Sequence, residues 1–149
     1  MWRVRPSNIA LFLGAIIFCA VIVAHAGFAQ TSDTYKVRLT TVPIDASMMP
    51  RIAGHGELKG VLAGNKLTVT GNFSGLRSPA TDVHIHNGPK GIRGPAILDL
   101  EVSKATSGSV SGSVSLSPEQ VEDLKNGRLY IQINSQSAPD GNLWGWLLR

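Results

Sequence analysis

The sequence predicts an all-β domain, and three observations carry that prediction. Downstream of residue 30, apolar residues recur at every second position in one run after another, which is the period of a strand with one buried face. The runs are short and are separated by Gly, Pro and Asn, the residues that make turns. Only one segment carries both the start and the stop signals of a helix. About eight strands and one short helix describe an antiparallel β-sandwich with Greek-key connections, with a closed barrel as the alternative.

Residues 1–29 read as a targeting segment. Arg3 and Arg5 precede an uncharged apolar run, Ile9 to Ala24, and small residues follow in Ala24-His25-Ala26 and Gly27-Phe28-Ala29. That order is a secretory signal peptide, with cleavage expected after Ala29 and, as the other option, after Ala26. The run is shorter than the about 20 apolar residues of a spanning anchor. A secreted or periplasmic product is expected, with no membrane attachment once the signal is removed.

Residues 30–149 suffice for a single domain with its own core. The one cysteine, Cys19, lies in the leader, so packing and the hydrogen-bond ladder must hold the exported domain without a disulfide. The full chain has a formal charge of +4, and loss of Arg3 and Arg5 leaves 12 basic and 10 acidic side chains, or +2. So small an excess, with no basic tract, predicts neither a nucleic-acid nor a membrane partner.

Each strand follows from its own pattern. Tyr35 to Val42 places Val37 and Leu39 on one face. Leu58 to Ala63 and Lys66 to Phe73 flank Gly64-Asn65, a pair that tolerates the positive φ of a hairpin turn. In the second, Leu67, Val69, Gly71 and Phe73 share a face. Thr81 to His86 sets Val83 and Ile85 on one side; Ile97 to Val102 sets Leu98, Leu100 and Val102 together. Val110, Gly112, Val114 and Leu116 alternate with three serines, and Leu129, Ile131 and Ile133 alternate with Tyr130, Gln132 and Asn134. Asn142 to Leu148 forms the last strand. The helix begins at Ser117-Pro118-Glu119-Gln120, with an N-cap, a proline at the first position and a capping-box glutamine, and Gly127 ends it.

The motif order resembles that of the chordin domain (CHRD) family. The resemblance rests on Gly64 to Gly71 (GNKLTVTG), Phe73 to Leu76 (FSGL), Ser78 to Thr81 (SPAT), His84 to Pro95 (HIHNGPKGIRGP), the Ser117 helix, and Leu129 to Leu147. It implies an exported all-β domain of immunoglobulin-like or superoxide-dismutase-like character, and it implies little about activity. The family's polar cluster has three histidines, a glutamate and an arginine. Here Asn134 stands for a histidine, Asn142 for the glutamate and Trp144 for the arginine, and only His84 and His86 remain. Alternation places all five on the outer face of their strands.

His84 and His86, two apart on a strand, project from one face and are the candidate ligands for copper or zinc. Asp82 and Asp99 offer oxygens, and His55 is the only other histidine in residues 30–149. The HxH strand is similar to the copper-binding strand of copper/zinc superoxide dismutases, but the further histidines, the aspartate and the cysteines of those enzymes are missing. The competing role for these rings is to bond the backbone of the Gly88 to Gly94 loop and hold its shape. Lys90 and Arg93 in that loop form a basic rim able to meet an anionic glycan or phosphate. Trp144 and Trp146 must fill a second packed layer or form an exposed patch.

No nucleophile elbow, zinc-protease motif or spaced carboxylate pair signals catalysis. The expectation is an exported noncatalytic binding or structural module without a cofactor, whose partner is an extracytoplasmic protein or glycan. The candidate binding residues are Lys90, Arg93, Asn134, Asn142 and Trp144. The alternative is a copper- or zinc-binding protein using His84 and His86.

Overall fold

The computed structural model describes residues 31–149; the expected signal peptide lies outside the described residues. The order of elements is β1 (Ser32–Thr41), β2 (His55–Ala63), β3 (Lys66–Ser74), β4 (Ala80–Asn87), β5 (Ala96–Val102), β6 (Gly108–Ser115), α1 (Pro118–Lys125), β7 (Leu129–Ser135) and β8 (Ala138–Trp146). All eight strands and the helix lie where the sequence patterns put them. β2 and β8 start earlier than their apolar segments, because ladder pairing continues through His55↔Ser74 and Ser135↔Ala138.

The strands close into an antiparallel barrel in the order β1-β2-β3-β6-β5-β4-β7-β8. The connections β3 to β4 and β6 to β7 each skip over two strands, which makes two overlapping Greek keys. The expected sandwich is therefore corrected to a closed barrel, and the reason lies in two thin seams. β5 meets β6 through Glu101↔Ser111 and Val102↔Val110, and β1 meets β8 through Thr40↔Trp144 and Thr41↔Leu143. The second seam is extended by the Lys36↔Leu148 bridge. Without these few pairs the strands would form two facing sheets, and closure removes the open edges such sheets expose.

Inward residues fill the barrel. Val37, Leu39, Leu67, Val69, Val83, Ile85, Ile131, Ile133, Leu143 and Leu147 are buried in one cluster, each worth roughly 1.5–3 kcal/mol over an exposed position. Leu124 of α1 joins them. The helix start is capped on both sides: Gln120 N donates to Ser117 Oγ and Ser117 N donates to Gln120 Oε1. Gly127, at φ +67°, ends it.

A second apolar layer lies outside the barrel. Tyr130, Trp144, Trp146 and Ala138 on the outer faces of β7 and β8 are covered by Val42 and Ile52, with Met48 packed alongside. The cover is the β1–β2 connection, which folds back over the sheet through a turn built on Asp45 and Met48. Trp144 and Trp146 are thus 8 % and 9 % exposed.

Candidate functional site

β5, β4, β7 and β8 are consecutive neighbours, and their register lines outward side chains into rows. One row runs Asp99, His84, Gln132, Trp144, and the next runs Ala96, His86, Tyr130, Trp146. The first row runs from a carboxylate to an indole, and the second carries three aromatic rings in succession beyond Ala96. The alternation that buries Val83 and Ile85 forces His84 and His86 outward, as the sequence predicts. A register shift between Ile85 and His86 then turns the chain into the 88–95 loop.

His84 sits between two carboxylates. Its Nδ1 lies 2.8 Å from Asp99 Oδ1 and its Nε2 lies 2.8 Å from Asp82 Oδ1. A carboxylate only accepts, so both bonds together require the protonated ring, and a neutral ring keeps one of them. Asp82 is the hub of the network. It accepts from Thr81 Oγ1 at 2.7 Å and from Asn134 Nδ2 at 2.5 Å. Burial works to raise the Asp82 carboxyl, but the bonds from Thr81, Asn134 and His84 outweigh it and hold it below its ordinary 3.8. Gln132 Nε2 donates to Asn134 Oδ1 at 3.0 Å and extends the network along β7.

His86 serves the loop. Its Nδ1 donates to the Gly94 carbonyl at 2.9 Å, which leaves Nε2 as a buried lone pair without a partner. Burial depresses its titration below 6.5, more than the Gly94 bond raises it, and the charges of His84 and Arg93 act in the same downward direction. The two imidazoles meet edge to face, 6.1 Å between centroids, and His86 stacks on Tyr130 at 4.9 Å. Trp146 continues the aromatic row at 4.8 Å from Tyr130 and donates its Nε1 proton to the Gly88 carbonyl at 3.1 Å. Both ends of the 88–94 loop are therefore tied to the sheet by side chains.

The remaining candidates separate. Asn134 joins the histidine network through Asp82. Asn142 does not: it is fully buried, donates from Nδ2 to the Ala53 carbonyl at 2.7 Å and accepts from Ser135 Oγ at 3.1 Å. Its expected place on an accessible binding face is corrected, because the β1–β2 connection covers the outer face there. Trp144 is likewise under that cover except at one edge, which borders a groove. Lys90 and Arg93, expected as one basic rim, diverge. Arg93 Nη1 donates to the Asp140 carbonyl at 2.5 Å, whereas Lys90 lines the groove with Lys36, Arg38 and Arg149. His55, on β2, bonds Ser74 Oγ at 3.3 Å, with three strands between it and β4. Among the described residues, no group of three or more His, Cys, Asp or Glu side chains is arranged to hold a metal ion.

Two members of the site escaped notice as functional residues, Tyr130 and Gln132. The alternation with Ile131 and Ile133 already turned them outward, and their register against His86 and His84 makes them part of the cluster.

Neither the curated proteins nor the solved structures contain a match to this chain. The model of the CHRD domain matches residues 28–147, which takes in all eight strands, the helix and both histidines. The chain belongs to the CHRD domain family.

Proposed function

We propose that the processed chain is an exported, noncatalytic binding or structural module, in which His84 and His86 shape the outer face and the 88–94 loop. The observation that supports this reading is how fully the ring nitrogens are used. Three of the four lie within hydrogen-bond distance of a carboxylate or a backbone carbonyl of the chain itself. The fourth, His86 Nε2, is buried on a ring stacked against Tyr130. A general base needs a nitrogen within reach of a substrate proton, and a zinc site needs three or four protein ligands. Here His86 could turn its Nδ1 to either role only by giving up its bond to the loop, and His84 only by giving up a carboxylate. Export is proposed from the leader, with its Arg3 and Arg5 and its cleavage residues before Gln30. The partner is proposed to be an extracytoplasmic protein or glycan.

The test is calorimetric titration with copper(II) and zinc(II) of the chain recovered from the extracytoplasmic fraction, alongside His84→Ala/His86→Ala. The expected result is no stoichiometric heat, and the same unfolding midpoint with and without chelator. Stoichiometric uptake at micromolar or tighter affinity, abolished in the double variant, would overturn the reading in favour of a metal-binding protein. Recovery of the chain in the cytoplasmic fraction with residues 1–29 intact would overturn export.

A further inference from the structure

The β1–β8 seam carries a groove of about 300 Å³ lined by Lys36, Arg38, Lys90 and Arg149 around Trp144, Gly145 and Trp146. Four cations meet there and the lining contains no acid. Arg149 is neutralised by Asp33, 2.5 Å away. Lys36, Arg38 and Lys90 have no ion-pair partner among the described residues.

We propose that this groove binds an acidic polysaccharide, its carboxylate groups held by Lys36, Arg38 and Lys90. The proposal rests on the binding-module reading but is independent of what the histidines do.

The fold makes the groove from simple causes. Alternation on β1 buries Tyr35, Val37 and Leu39 and turns Lys36, Arg38 and Thr40 outward. Gly145 allows β8 to close on β1, since a Cβ there would lie 2.5 Å from the Arg38 carbonyl oxygen. The neighbours of Gly145 are the two tryptophans, whose rings pack edge to face at 4.8 Å and present their rims beside the cations. Lys90 is brought over from the other side by the loop that His86, Tyr130 and Trp146 anchor.

Charge is distributed unevenly for a domain that is only slightly basic. Asp82, Asp99 and Glu101 lie together on the β4–β5 face, and Glu119, Glu122 and Asp123 on α1. Asp33 offsets Arg149 and Glu57 on β2 stands opposite Arg38, which leaves the groove a net positive field, centred on Lys36 and Lys90, that favours an anion. A second depression of about 710 Å³ shares Lys36 and Arg38 and adds Lys59 from the neighbouring strand β2, with Glu57 as its one acid. The cations thus form a track over two strands, the form that suits a polymer with repeating charge more than a small ion. Between polymers, the tryptophans count against a single-stranded nucleic acid. They are nearly covered and lack the open ring faces on which nucleic-acid bases stack. The Thr40 and Thr34 hydroxyls in the two depressions suit hydroxyl-rich rings.

The tryptophans also supply the readout. Trp2 lies in the leader, so the indole emission of the processed chain comes only from Trp144 and Trp146. The chain recovered after export is titrated with polygalacturonate, neutral dextran, an oligothymidylate and phosphatidylglycerol vesicles, following indole emission. The proposal expects a saturable change with polygalacturonate that weakens at high salt and none with dextran. Lys36→Gln/Arg38→Gln, both exposed positions, should weaken it about tenfold or more with an unchanged unfolding midpoint, and Lys90→Gln several-fold. No change with polygalacturonate, or a change untouched by the double variant, would overturn the proposal. Equal or tighter response to the oligothymidylate or the vesicles would overturn it in favour of those partners. A silent polygalacturonate titration leaves the histidine reading standing, because that reading is judged by metal uptake alone.

Discussion

His86 and Tyr130 stack with their centroids 4.9 Å apart and their planes 17° apart, and their polar atoms converge on Gly94. His86 Nδ1 donates to the Gly94 carbonyl, and the Tyr130 hydroxyl accepts from Gly94 N at 3.0 Å. Two adjacent strands thereby clamp one loop glycine. Stacking and one hydrogen bond are together worth about 1–3 kcal/mol, so His86→Ala should lose stability on that scale.

The same ring makes stability depend on pH. His86 in the folded chain titrates below 6.5, chiefly through burial, so between the two values the unfolded chain binds more protons and stability rises with pH. Its contribution is complete above 6.5 and is lost as pH falls from there through the folded value. Asp82, also depressed, contributes above 3.8 and loses that contribution as pH falls further. Urea unfolding of the wild type should show both declines. His86→Phe, which keeps a ring against Tyr130, should lack the first and retain the second. An identical decline below 6.5 in both proteins would remove His86 as its source.

Asn142 fastens the β1–β2 connection to the sheet through its bond to the Ala53 carbonyl. Asn142→Ala leaves that carbonyl and the Ser135 hydroxyl unpaired in a buried place, at about 1–3 kcal/mol. The connection includes exposed Arg51, so loosening it should show as faster tryptic cleavage at Arg51. Cleavage at the wild-type rate, with a lowered unfolding midpoint, would mean that Asn142 supports the barrel but does not hold the connection.

Two loop glycines should respond differently to alanine. A Cβ on Gly94 would overlap the Asn87 carbonyl oxygen, which the loop cannot relieve without giving up the His86 and Tyr130 bonds. A Cβ on Gly91 meets nothing, and only its φ of +81° opposes the change. Gly91→Ala should therefore cost about 1 kcal/mol and Gly94→Ala about 3 kcal/mol or more, read from thermal unfolding. Equal losses would contradict the clamp.

Much of the candidate site was legible in residue order. The outward direction of His84, His86, Asn134 and Trp144 follows from Val83, Ile85, Ile133 and Leu143 pointing inward, because neighbouring side chains on a strand take opposite faces. The partners were not legible. Asp99 reaches His84 from β5 and Asn134 reaches Asp82 from β7, and cross-strand register is set by long-range pairing. Lys36 and Arg38 were outward by the same alternation, yet nothing local shows that β8 brings two tryptophans beside them.

The amino-acid sequence by itself determined the eight strands, the capped helix, the inward and outward faces and the CHRD family, since each depends on spacing and short motifs. Only the tertiary structure decided that the sheets close into a barrel, that Asn142 is buried, and that Lys90 and Arg93 part company. The physical reason is the same in each case. A sandwich and a barrel share one alternation pattern, and what separates them here is two pairs of residues at one seam and two pairs with a bridge at the other. What lies over an outward side chain depends on segments distant in sequence, here the β1–β2 connection folded across β7 and β8.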